Sequence, residues 1–146
     1  MKRSWSGLLL GVTTLLLAAC SASAKQAYQL APASTLPNFV RSQPPAVRKA
    51  YRFAIANPDE LAKYPCYCGC GAMGHSSNLS CYINNIASDG SITFDSHAAG
   101  CGICVDITQD VMRLLDKGES SLQIRAYIDA QYSAFGPSTD TPLPLD

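Results

Sequence analysis

Hydrophobic positions repeat with a helical period on either side of residues 65–104 and lose that period in between. Val47, Ala50, Tyr51, Ala54 and Ile55 recur at the spacing of one helix face, with Arg48, Lys49 and Arg52 off it. Pro44 and Pro45 can open this helix, because proline is tolerated in a first turn. It should end near Asn57. Asn57-Pro58-Asp59-Glu60 then starts a further turn, with Asn57 as cap and acids at the N-terminus, and Leu61 to Tyr64 carry it to Pro65. Ile107, Val111, Leu114 and Leu115 form a second long stripe, with Lys117 in its last turn and Gly118 as its C-cap. Ser120-x-x-Gln123 reads as a capping box for a third. Leu122, Ile124, Tyr127, Ile128 and Tyr132 supply its apolar side, and Gly136-Pro137 stops it.

Residues 65–104 have no comparable period. Glycines stand at 69, 71, 74, 90, 100 and 102, and only a short helix around Leu79 to Ile86 suggests itself. A structureless segment of this length inside a small domain needs another organiser. The pattern therefore predicts a mostly α fold: three or four helices around a Cys/His-rich irregular loop core.

The N-terminus reads as an export signal. Met1-Lys2-Arg3 is a short basic start, and the apolar run Gly7 to Ala19 is too short to span a membrane. It ends in Leu17-Ala18-Ala19-Cys20, which resembles the lipobox of bacterial lipoproteins, in which the cysteine is lipidated and becomes the new N-terminus. The expected organisation is a signal peptide over 1–19, a tether over 20–43, the Cys/His-rich helical domain over 44–136 and a flexible tail over 137–146. Lipid on Cys20 implies a membrane partner and a place in the bacterial cell envelope, facing periplasm or exterior. Without Lys2 and Arg3, nine basic residues face eleven acidic ones. That balance carries no basic patch for nucleic acid.

Composition changes the picture most through its soft ligands. With Cys20 assigned to lipid, six of the seven cysteines remain. They are Cys66, Cys68, Cys70, Cys81, Cys101 and Cys104, and both histidines, His75 and His97, lie among them. In extended chain Cys66, Cys68 and Cys70 point to one face. A disulfide between alternate residues there is strained, since their Cα atoms lie about 6.5 Å apart. A metal ion with bonds of about 2.3 Å to sulfur spans the gap more easily. Cys104, near a helix N-terminus, should have a lowered pKa that favours thiolate. Asp95 is a candidate to orient His97. Six thiols and two imidazoles suit soft Cu(I) first and Zn(II) second. Arg3 follows a lysine rather than a second arginine, so no twin-arginine signal supports an iron–sulfur cluster. No Ser-His-Asp set and no paired carboxylates stand out. No catalytic residue is assigned, and the reading leans away from an enzyme.

Pro65-Cys66-Tyr67-Cys68-Gly69-Cys70-Gly71, followed by His75, Cys81, Phe94-Asp95-x-His97 and Cys101-Gly102-x-Cys104, resembles the PCYCGC-motif lipoproteins of bacteria over about residues 45–135. The resemblance implies class and location more than activity. A weaker one, from Cys101 to Gly136, links the chain to the CxxC helix-turn-helix of thiol-reducing subunits of cytochrome c maturation, which have nothing like the 66–70 triplet. Three functions stay open. The first is capture or transfer of a soft metal by all eight Cys and His residues, with an envelope protein delivering or accepting the metal. The second is thiol–disulfide exchange through Cys101 and Cys104, although no thioredoxin-like strands flank them. The third is an interaction domain stapled by disulfides.

Overall fold

The computed structural model describes residues 27–145, so the signal segment and Cys20 lie outside the described residues. Among those described, six helices follow in order: α1 (Asn38–Arg41), α2 (Pro45–Ala56), α3 (Pro58–Leu61), α4 (His97–Gly100), α5 (Gly102–Asp116) and α6 (Ser121–Tyr132). One antiparallel hairpin, β1 (Ile83–Ile86) and β2 (Ile92–Phe94), interrupts them. The domain is mostly α.

Three long helices make the frame. α2 opens at Pro44-Pro45 and buries Ala50, Tyr51, Phe53 and Ala54. It packs on α5, which buries Cys104, Val105, Ile107, Thr108, Val111, Met112 and Leu114. α5 in turn packs on α6 through Ile124, Ile128 and Tyr132. Gly118, at φ +77°, reverses the chain between them, and its N–H donates to the Leu115 carbonyl. The capping box forms as expected: Ser120 Oγ accepts from Gln123 N, and Gln123 Oε1 accepts from Ser120 N. Aromatic rings fill the centre, with Tyr51 edge-on to Tyr82 at 4.9 Å and Tyr28 edge-on to Phe53 at 5.1 Å.

Four expectations need correction. The helix around Leu79 to Ile86 is instead a 3₁₀ turn, Asn78–Cys81, followed by strand β1. Asn84 and Asn85 are poor helix formers, and Ile83, Asn85 and Ile86 pair with Phe94, Thr93 and Ile92 across a bulge. Residues 27–43, expected as part of a tether, pack on the domain, where Tyr28, Ala31, Leu36 and Val40 are buried. Of the expected 137–146 tail, the described residues 137–145 are not free either, since Thr139, Thr141 and Pro144 are buried. Asn57 does not cap α3 with its side chain; its Nδ2 donates to the carbonyls of Gln29 and Phe53, tying the N-terminal segment to α2.

Candidate metal centre

The frame holds the cysteine-bearing loop against the N-terminus of α5. Pro65, Cys66 and Tyr67 enter as irregular buried chain. Gly69, at φ +81°, then turns the backbone into a 3₁₀ turn, Cys70–Met73. This left-handed position favours glycine. The three alternate cysteines thus converge through a turn and not along a strand. Cys66 and Cys70 are buried, and Cys68 is half-buried.

The second wall is the start of α5. Cys101 sits at its N-cap and Cys104 in its first turn, buried. The 3₁₀ turn Asn78–Cys81 brings in Cys81, also buried. Short α4 brings in His97. Cys66 Sγ lies 3.4 Å from Cys68 Sγ and 3.4 Å from Cys104 Sγ, and Cys68 lies 3.7 Å from Cys104. Cys70 and Cys81 are 3.6 Å apart. His97 Nε2 is 3.2 Å from Cys68 Sγ, and His75 Nδ1 is 3.5 Å from Cys81 Sγ. Two sulfurs on one tetrahedral ion, each bonded at about 2.3 Å, stand about 3.8 Å apart. The observed spacings are close to that. Groups drawn from the six cysteines and His97 could hold a metal ion.

His75 stands at the rim. Its ring meets that of His97 edge-on at 5.3 Å, and its Nε2 faces Asp95 Oδ2 at 3.6 Å. Asp95 was expected to orient the His97 ring. It instead accepts from the His97 backbone N–H at 2.7 Å, setting the start of α4, while its other oxygen faces His75. A cleft of about 520 Å³, lined by Met73, His75, Ser80, Asn84 and His97 among others, opens beside the imidazoles.

The thiols share their protons unevenly. Hydrogen bonding with Cys104, then with Cys81, pulls Cys66 well below the ordinary thiol range. Hydrogen bonding with Cys66, then with Cys81, and burial push Cys104 far above it. The expected lowering of Cys104 by the helix terminus is therefore reversed, because its contacts with Cys66 and Cys81 and its burial outweigh the helix terminus. Burial raises Cys68 and Cys70. Cys81 also ends high: the Cys104 thiol lowers it, but its bond to Cys66 and burial outweigh this. A metal must displace these protons. Its apparent affinity is accordingly expected to fall steadily as pH drops from about 8 to about 6, as read by chelator competition at a series of pH values.

Several supporting residues carried no sequence signal as site residues. The Cys104 carbonyl accepts from Tyr82 OH at 2.8 Å, from Thr108 Oγ1 at 3.1 Å and from Asn78 Nδ2 at 3.4 Å, all buried. Tyr82 OH also meets Thr108 Oγ1 at 2.7 Å. Thr139, from the C-terminal segment, accepts from Cys66 N and donates its own N–H to the Cys66 carbonyl, both at 2.9 Å. Gly136 lets that segment pass, since a Cβ there would stand 3.0 Å from the Tyr67 carbonyl oxygen. Tyr82→Phe is expected to destabilise the domain by about 1–2 kcal/mol through the lost buried bonds, measured by urea unfolding of the metal-free protein.

The family described as "Protein of unknown function with PCYCGC motif" matches residues 9–144, and the chain belongs to it. No curated protein and no solved structure matches the chain.

Proposed function

We propose that this PCYCGC-motif protein is an envelope-anchored soft-metal protein that captures or transfers Cu(I) through its Cys/His centre. The observation that carries this reading is the convergence of six thiols and His97 into sets with donors no more than 4.8 Å apart. Sulfur-rich sites of this kind select Cu(I), with Zn(II) second. His75, beside Cys81 at the cleft, suits a residue that receives an ion at the rim. The partner is an envelope protein that delivers or accepts the metal. The anchor is lipid on Cys20, and Cys20→Ala is expected to release the protein from membranes in a fractionation experiment. Unchanged membrane association and mature size would contradict the anchor.

Thiol–disulfide exchange through Cys101 and Cys104 fits less well. A nucleophilic thiol needs a lowered pKa and access to solvent. Cys104 is buried and raised, so the attack would fall to half-buried Cys101 alone.

The deciding experiment purifies the protein under reducing, anaerobic conditions, measures its metal content, and titrates it against a Cu(I) chelator. Retained copper and competition with the chelator are expected. Six blocked thiols on freshly isolated protein, with no competition after reduction, would end the metal reading.

A further inference from the structure

We propose that the centre holds four Cu(I) ions in one thiolate-bridged cluster, in which Cys66, Cys68, Cys70, Cys81 and Cys104 each bridge two ions. This rests on the soft-metal reading above and adds its stoichiometry and connectivity.

The donors fall into four overlapping sets, each with its atoms within 4.8 Å of one another. Cys66, Cys68 and Cys70 make the first, and Cys66, Cys81 and Cys104 the second. Cys68, Cys101 and Cys104 make the third, joined by His97. Cys70, Cys81 and His97 make the fourth. Every two sets share a ligand. The first shares Cys66 with the second, Cys68 with the third and Cys70 with the fourth. The second shares Cys104 with the third and Cys81 with the fourth. The third and fourth share His97. Only the third and fourth sets can be filled independently, with Cys101 standing in for His97 in the third, and that pairing leaves Cys66 without an ion; every other pair shares a thiolate. The alternatives are a single ion, two separate ions, or a cluster joined through the shared thiolates that uses every cysteine.

Thiolate sulfur has lone pairs enough to bridge two soft ions. This pattern of sharing is that of four ions at the corners of a tetrahedron, with one donor on each edge. Thiolates occupy five edges. The sixth falls to His97, which offers one ring nitrogen and so binds only one ion. Cys101 then serves the third set while His97 completes the fourth. Four three-coordinate ions need twelve bonds. The five shared thiolates make ten, and Cys101 and His97 make one each.

The count also separates the metals. Zn(II) takes four ligands in a tetrahedron, and three of the four sets offer three. Cu(I) is satisfied by three thiolates. Four Cu(I) ions with six thiolates carry a net charge of −2. That anion would lie at the N-terminus of α5, a helix of 15 residues that begins at Gly102. The positive end of the helix dipole favours negative charge there.

The test is an anaerobic titration of the reduced full chain with Cu(I), read by native mass spectrometry and by X-ray absorption at the copper edge. Four ions per chain, filling with few intermediates and with copper–copper scattering, are expected. A plateau at one or two ions without such scattering would overturn the cluster and leave the soft-metal reading standing. No retained copper would overturn both. Cys101→Ser tests the bridges separately, because Cys101 holds one bond only. It is expected to keep the copper–copper scattering and to lose at most one ion. Complete loss of that scattering, in a variant whose metal-free circular dichroism matches the parent, would overturn the assignment of bridging residues.

Discussion

Cys66→Ser is expected to lower Cu(I) affinity by more than about 100-fold, beyond the roughly 10–100-fold typical of residues that only support a ligand. Cys66 sits where the walls of the centre meet. It belongs to two donor sets, and its sulfur lies 3.4 Å from both Cys68 and Cys104. Serine replaces a soft, polarisable ligand with a hard hydroxyl at a fully buried position. The substitution also removes the group around which Cys104 and Cys81 arrange their protons. Burying a hydroxyl with imperfect partners adds about 1–3 kcal/mol of destabilisation to the metal-free protein. Cys101→Ser provides the contrast, since Cys101 is half-buried and belongs to one set. Its expected loss of affinity is about tenfold, the lower end of that same supporting range. Chelator competition on both variants checks the difference. Equal losses would mean that ligand number alone, and not position in the fold, governs binding.

Much of this centre could be read from spacing, because its chemistry is concentrated in sequence. The six cysteines and two histidines lie within residues 66–104, so their proximity follows from a short chain as much as from a fold. The frame was legible for another reason. α2, α5 and α6 are long enough for a 3.6-residue period to emerge, and Ser120, Gln123 and Gly118 mark their ends by capping chemistry.

What escaped was short or remote. β1 and β2 have four and three residues, too few for alternation to stand out from a helical fragment. The turn signal Asp89-Gly90 between them was the available clue, with Gly90 at φ +84°. Residues 27–43 lack periodicity because they bury isolated anchors such as Leu36 and Val40 rather than a stripe. The pKa of Cys104 followed a local argument about a helix terminus. Tertiary contacts decided it, through neighbours 38 and 23 positions away, Cys66 and Cys81. Asp95 likewise lies two residues from His97 but turns an oxygen to His75 across the cleft.

The C-terminal segment shows most sharply how a remote contact governs the centre. Removing residues 137–146 is expected to destabilise the domain by about 3 kcal/mol and to weaken metal binding by about 10-fold or more. Thr139 holds Cys66 from both sides, accepting its N–H and donating to its carbonyl at 2.9 Å. Thr141 Oγ1 donates to the Ser76 carbonyl at 2.6 Å, next to His75. Arg125 fastens the strap by donating to the carbonyls of Thr141 and Pro142. Three of these bonds reach the ligand-bearing loop, each contributing about 1 kcal/mol net. Their loss frees the backbone of Cys66 to move, and a ligand held in two sets tolerates little movement. Thr139→Val separates the strap's two effects. It keeps the chain and its packing but leaves the Cys66 N–H without its acceptor, at a cost of about 1–3 kcal/mol. Urea unfolding of the metal-free protein measures stability, and chelator competition measures binding. If truncation leaves both unchanged, the segment is not the clamp that these bonds describe. If Thr139→Val reproduces the loss of affinity, the restraint acts through the Cys66 backbone itself.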